Sequence, residues 1–304
     1  MNEKKETTLL DSSLNTGRFL DIPNIKSRIN YTIKVIDCNE YKQIYIYPDV
    51  KSHIIGGFEQ DNLRIRKIGS SESISHDPIN SKIGIDNEVQ FKNVIRSKLK
   101  LQRLAKANAD VWKTFITLTF KENINDLSMA YNEFRKFIKR INRVKKEFKW
   151  LCVPEFQKNG RVHYHLISNI DINDKNLIYF QKQENDIIYY HLKHWSKNII
   201  NNEPIGLGFD KVELIQDQDG NDTKKICGYI SKYMTKSYIE NAFFNHNRYY
   251  SSQNLIRPKE ILIELGNDNS IQVLSDIFQN YNKIYENDYY DNFNERIKFI
   301  EFLK

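Results

Sequence analysis

Val153-Pro-Glu-Phe-Gln-Lys-Asn-Gly-Arg-Val-His-Tyr-His-Leu-Ile-Ser168 is the stretch on which the fold turns. Lys158-Asn159-Gly160 separates two apolar runs, Trp150 to Phe156 and Val162 to Ile167, and Asn-Gly between such runs is among the strongest local hairpin signals. A β-hairpin is expected. Successive side chains of a strand point to opposite faces, so His163 and His165 share one face while Val162, Tyr164 and Leu166 share the other. Folding the first strand back carries Glu155 toward the imidazoles. His, His and a carboxylate make a small open metal site with room for a substrate oxygen. A His-x-His strand alone is more often a pair on a solvated face, so the weight rests on what accompanies it.

The 304 residues suffice for one large domain or two smaller ones. Three cysteines, Cys38, Cys152 and Cys227, are far apart, odd in number and without metal-finger spacing, which fits a reducing compartment. Residues 1–13 hold no apolar signal-peptide core and no later stretch approaches a membrane span, so a soluble, cytoplasmic protein with no membrane partner is expected.

A net charge of +7 is a moderate basic excess, and its distribution decides its meaning. A first helix, capped by Asp86 or Asn87, has apolar residues Phe91, Ile95, Leu99, Leu101 and Leu104 in a helical pattern. Its other side carries Arg96, Lys100 and Arg103, with no acid between Phe91 and Ala109. A second helix, from about Asn125 to Glu147, buries Leu127, Tyr131, Phe134, Ile138 and Ile141 and turns Arg135, Lys136, Lys139, Arg140 and Arg143 outward. Bases packed this densely repel one another unless an anion lies nearby. With Arg161 beside the hairpin turn, these are the DNA-binding candidates.

Between the two helices, Lys113 to Phe120 reads as a central strand with Thr117 and Thr119 on one face. Residues 1 to about 28 read as an arm, Tyr31–Ile36 and Gln43–Tyr47 as a further hairpin, and 69–87 as a linker. The expected division is 1–86, an arm and small β-rich region; 87–258, the main domain; and 259–304, a helical tail. Ile187 to Ile200 reads as an aromatic-rich helix with His191 and His194 in ordinary packing or surface positions, and Phe209 to Ile215 as a strand.

The second constellation is Lys224 to Ile239, a helix whose Ile226, Ile230 and Met234 form a buried stripe. Tyr229, Lys232, Tyr233 and Lys236, at i, i+3, i+4 and i+7, form another. Half-buried tyrosines and snorkelling lysines would account for such a wet edge. Beside a metal, however, a phenol flanked by ammonium groups is the apparatus for attacking a phosphodiester: lysine charge favours the phenolate, and a divalent ion polarises the P–O bond. The product would be a phosphotyrosyl link that stores the broken bond for rejoining without ATP.

Together these pieces resemble the HUH endonuclease superfamily, in particular the rolling-circle replication initiators (Rep proteins) of small plasmids and single-stranded DNA phages. Phe115 to Phe120 is similar to that family's first motif, His163-Tyr164-His165 to its metal motif, and Tyr229 to Lys236 to its nucleophile motif; Arg248 to Leu255 looks like a strand following the catalytic helix. The Tyr229-x-x-x-Tyr233 spacing resembles the two-tyrosine initiators. Tyr164 departs from the usual aliphatic residue, on the face away from the ligands. The resemblance implies an α+β fold in which a central antiparallel sheet, ferredoxin-like or RNA-recognition-like, carries the hairpin in its middle and helices on its faces. It also implies Mg2+ or Mn2+ held by His163, His165 and Glu155, with Gln157 in reserve, and Lys232 or Lys236 steadying phosphate or phenolate. The implied enzyme nicks one strand at an origin, stays joined to the 5′ phosphate of single-stranded origin DNA and leaves a 3′ hydroxyl. A host polymerase would extend that end, and a host helicase would unwind, since no G-x-x-x-x-G-K-[ST] is present. Rival readings are an HUH transposase or relaxase and, from another class, a non-catalytic nucleic-acid-binding protein.

Overall fold

The computed structural model describes residues 27–55, 93–182, 188–196, 199–200, 203–204, 206–215, 221–236, 246–264, 274, 276–290 and 295–304. The expected arm, linker and helix caps Asp86 and Asn87 lie outside them. The chain runs β1 (Ser27–Cys38), β2 (Tyr41–Ile55), α1 (93–106), β3 (Thr114–Phe120), α2 (Leu127–Val144), β4 (Trp150–Phe156), β5 (Val162–Ser168), β6 (Ile178–Lys182) and β7 (Ile188–Leu192). There follow β8 (Ile199–Ile200), β9 (Glu203–Pro204), β10 (Gly208–Leu214), α3 (Asn221–Lys236), β11 (Tyr250–Ser251), β12 (Lys259–Ile263), β13 (Asn282–Tyr290) and β14 (Arg296–Leu303).

The expected hairpin is β4–β5. Gly160 takes φ +79° after Asn159, a conformation an L side chain resists, and Gln157 N–H donates to the Arg161 carbonyl across the turn. The hairpin sits inside a seven-stranded sheet of order β11-β4-β5-β3-β10-β7-β6, in which every pairing is antiparallel. At the β3–β10 junction a Cβ on Gly208 would stand 1.9 Å from the Thr119 carbonyl oxygen, so only glycine admits this approach.

Strand alternation divides the two faces. Ile116, Leu118 and Phe120 of β3, Trp150 and Cys152 of β4 and Val162, Tyr164 and Leu166 of β5 join Leu127, Phe134, Phe137 and Ile141 of α2 in one core. Phe115, Leu151, Val153 and Ile167 point the other way, into a core with Leu101 and Leu104 of α1 and Cys227, Ile230 and Met234 of α3. Each buried aliphatic or aromatic side chain contributes about 1.5–3 kcal/mol by leaving water. Asp126 caps α2, its Oδ1 accepting Met129 N–H at 2.7 Å.

Two expectations are corrected. Residues 188–192 are not helical: they form β7, paired with β6 and β10, because Ile188, Tyr189 and Tyr190 favour a pleated surface and find strands on both sides. Residues 259–304 are not a helical tail, since β12, β13 and β14 join the N-terminal hairpin in a five-stranded sheet of order β12-β1-β2-β14-β13. β14 alternates Ile297, Phe299 and Glu301 against β2, a partner some 250 positions earlier that no local window reveals. The sheet meets the end of α1 through Ile36, Cys38, Tyr41, Ala107 and Ala109. All three cysteines are buried and free. Among the described residues no helix is long and apolar enough to cross a membrane.

Tyr164 stacks on Phe134 at 4.6 Å and is wholly buried, yet its hydroxyl has no hydrogen-bond partner. Burial pushes this phenol well above its ordinary pKa. Tyr164→Phe is therefore expected to raise unfolding stability by about 1 kcal/mol, whereas Tyr164→Ala lowers it by about 3–5 kcal/mol through a cavity. Urea unfolding of both variants checks this; a destabilised Phe variant would mean that the hydroxyl is satisfied in solution.

Candidate active site

Register gathers the predicted residues in two rows across β4, β5, β3 and β10. Glu155 stands opposite His163, His163 opposite Thr119 and Thr119 opposite Phe209; Val153, His165, Thr117 and Lys211 form the adjacent row. Thr119 Oγ1 lies 3.3 Å from His163 Nδ1, Thr117 Oγ1 3.3 Å from His165 Nδ1, and Gln157 Nε2 3.3 Å from His163 Nδ1. The sheet thus engages the Nδ1 edge of both rings, which orients them and leaves Nε2 for the site. His165 Nε2 lies 2.6 Å from Glu155 Oε2, a diagonal contact across the hairpin.

Over this face α3 packs against β4 and β5. The Tyr233 ring lies 3.6 Å from the His165 ring at 18°, and its hydroxyl donates to the Tyr229 oxygen at 2.6 Å. Phe115 supports all three rings: it is edge-on to Tyr229 at 5.2 Å and stacked on Tyr233 and His165 at 6.0 Å. The phenols differ in environment, since Tyr229 is 40% exposed and Tyr233 only 9%. Burial pushes the Tyr233 phenol up, and its hydrogen bond to Tyr229 adds to the shift. Lys232 Nζ sits 5.5 Å from the centre of the Tyr229 ring, a cation–π contact. Lys236 closes α3, but its side chain is outside the described residues.

Whether a divalent ion suits this site turns on the donor atoms. His163 Nε2 is buried with no hydrogen-bond partner, as a nitrogen meant for a ligand would be. Burial, with repulsion from His165, holds this imidazole down at about 4, so it is neutral at neutral pH, the form that binds a metal. Glu155 instead spends its carboxylate on His165, and among the described residues no three His, Cys, Asp or Glu side chains are gathered closely enough to hold an ion. The donor chemistry fits; Glu155 would exchange its hydrogen bond for an ionic one.

The basic candidates are not brought together. Arg135, Lys136, Lys139, Arg140 and Arg143 belong to α2, which covers the face opposite the histidines. Lys136 pairs with Glu133 at 2.6 Å, and Arg140 reaches the His194 carbonyl at 3.5 Å. Arg103 is committed to the junction with the five-stranded sheet, donating to Gln43 Oε1 at 3.0 Å and Tyr45 Oη at 2.7 Å. Arg96 and Lys100 are exposed on α1, and Arg161 lies at the hairpin turn, 3.5 Å from Asn123 Oδ1. Phe209, 40% exposed, and Lys211, exposed, were missed as site residues although the alternation of Phe209 to Ile215 marks a strand. Only pairing with β3 sets them beside Thr119 and Thr117.

Residues 113–238, from the residue before β3 to just beyond α3, match the family described as replication-associated protein ORF2. The match spans both constellations, and it supports a replication-initiator family and a part in DNA replication. No curated protein and no solved structure matches the chain.

The depressed imidazole has a measurable consequence in EDTA. The unfolded chain takes up a proton on His163 near its ordinary 6.5 whereas the folded chain does so only near about 4, so this contribution to stability is intact above pH 6.5 and lost as pH falls toward 4. The slope approaches roughly 1.4 kcal/mol per pH unit. His163→Asn should flatten it; urea titrations from pH 4 to 7 with parallel profiles for parent and variant would refute the assignment.

Proposed function

We propose that the protein is a nicking-joining DNA endonuclease of HUH type that initiates rolling-circle replication. One observation carries the reading: Tyr233 lies flat on His165 and shares its proton with Tyr229, so the candidate nucleophiles and candidate ligands converge on one face. The family match to replication-associated proteins favours an initiator over a transposase or relaxase. A binding-only sheet gives no reason for imidazoles presenting Nε2 beneath paired phenols.

In this reading His163, His165 and Glu155, with Gln157 in reserve, hold Mg2+ or Mn2+, and the ion, when bound, supplies charge that polarises the scissile phosphate. Tyr229, the exposed phenol, is the first nucleophile. Its oxygen forms the bond to phosphorus as the bond to the 3′ oxygen breaks; the phenol loses its proton and the leaving oxygen gains one. Tyr233 donates a hydrogen bond that stabilises charge developing on the Tyr229 oxygen. Once Tyr229 is esterified, Tyr233 serves the second transfer that rejoins the strand. Lys232 contributes positive charge beside Tyr229, Lys236 does the same one turn on, and Phe209 offers a flat apolar surface for a base. Single-stranded origin DNA is the substrate, and a host helicase and polymerase act on the nicked product.

The test is incubation with labelled single-stranded origin DNA in Mn2+ or EDTA, followed by a denaturing gel. A metal-dependent protein–DNA adduct mapping to Tyr229 is expected, lost in Tyr229→Phe/Tyr233→Phe while DNA binding persists; cleavage unchanged in that double variant would overturn the nucleophile assignment. Because the threonine hydroxyls orient the imidazoles, Thr119→Val is expected to weaken Mn2+ affinity by about 10–100-fold, read by calorimetric titration without DNA. Unaltered affinity would detach Thr119 from the metal site.

A further inference from the structure

Away from the tyrosine centre, a cleft of about 440 Å³ opens between α1 and the segment that follows α3. Its walls include Lys100, His246, Arg248, Tyr249 and Arg257, and no acidic side chain lines it. A second cleft of about 280 Å³ shares Lys100, Tyr249 and Arg257 and extends the basic surface past Lys259 to Glu260, a carboxylate already paired with Lys34 at 2.7 Å. Cations gathered so closely around one cleft repel one another, and an anionic ligand relieves that cost.

The cleft is built on an ordered frame. Asn108, fully buried at the end of α1, donates through Nδ2 to the Leu104 and Ile256 carbonyls, both at 2.9 Å, and accepts Ile256 N–H at 2.9 Å. One side chain thereby ties the helix to the opposite wall. Leu255 joins Leu101 and Leu104 of α1 and Ile230 of α3 in the same core. Tyr250 enters the α2 core while Tyr249 packs on the α3 core, so the cleft opens on the face that carries the tyrosines. Ser251 pairs with Leu151, which lies about 13 Å along β4 from Glu155 at the usual strand rise.

We propose that Lys100, Arg248 and Arg257 bind the phosphodiester backbone of the DNA strand at a site distinct from the tyrosine–histidine centre. The proposal rests on the nuclease reading and adds where the strand is held. Arginine guanidinium groups offer phosphate a two-pronged donor set, and Lys100 adds a point charge. Arg257 Nη2 is held only loosely by protein, at 3.4 Å from Ser251 Oγ and 3.5 Å from the Ser252 carbonyl, which leaves it able to reorient toward phosphate. These contacts position the strand; the chemistry belongs to α3 and β5.

The experiment is a fluorescence-anisotropy titration of labelled single-stranded origin DNA in EDTA, between about 50 and 200 mM salt. It uses the full chain, Lys100→Glu, and Lys100→Ala/Arg257→Ala. Lys100 is exposed, so its substitution leaves the core untouched. A control, Lys146→Ala/Lys175→Ala, removes the same charge from exposed positions elsewhere. The alanine pair in the cleft should bind about 10-fold more weakly, with the salt dependence of log K shallower by roughly 1.4. The control should match the parent, and adduct formation at saturating DNA should be retained in the cleft variants. Parent-like affinity and salt slope in both cleft variants, or an equal loss in the control, would overturn the proposal while leaving the nuclease intact. A parent that neither binds nor forms the adduct would overturn both readings.

Discussion

The two-residue alternation of β5 is the constraint on which the molecule depends. Val162, Tyr164 and Leu166 are wholly buried against α2, while His163 and His165, their neighbours in the chain, face α3 at 6% exposure. A one-residue slip would drive both imidazoles into the α2 core and pull Tyr164 out of it, exchanging a dry apolar packing for unpaired polar groups. The register holding the core is therefore the same register that assembles the site. Burying the histidines' neighbours on both flanking strands makes that register costly to change.

The site itself is a graded environment. Its floor is polar where Thr117 and Thr119 meet the imidazoles and apolar where Phe115 supports the phenols. Tyr233 is pinned between Phe115 and His165 and Tyr229 reaches solvent, so two phenols one helical turn apart hold different environments. That asymmetry arises because α3 lies across the sheet, burying one turn of a stripe more deeply than the next. Strand-mounted ligands and a helix-mounted nucleophile are both held by regular structure, which suits chemistry that tolerates little misplacement.

α1 links the two sheets. Arg103 is hydrogen-bonded to Gln43 and Tyr45 of β2, Lys106 pairs with Glu301 of β14, and Asn108 binds the backbone at Ile256. Part of its charge is thus structural, and the bases left at the surface are those near the cleft. The basic faces of α1 and α2 look alike in sequence, yet one helix shares the tyrosine face and the other lies behind the sheet.

Local pattern was enough for the β4–β5 hairpin, the Thr117/Thr119 face, α2, the tyrosine stripe and the separation of His163 and His165 from Tyr164, because turn chemistry and the periods of strand and helix are properties of adjacent residues. Nothing local marked β12, β13 and β14 as partners of β1 and β2, nor distinguished Ile188–Leu192 as a strand, because those short apolar runs satisfy either period until a neighbouring strand supplies hydrogen bonds. Which side chains share a face of each element is thus written in the order of the residues. Which faces meet is settled only in the folded chain: Glu155 with His165, Tyr233 with His165, Phe209 beside Thr119, and the α2 bases on the far side. Those encounters depend on sheet order and on which core each helix fills, and such long-range burial is a property of the whole chain.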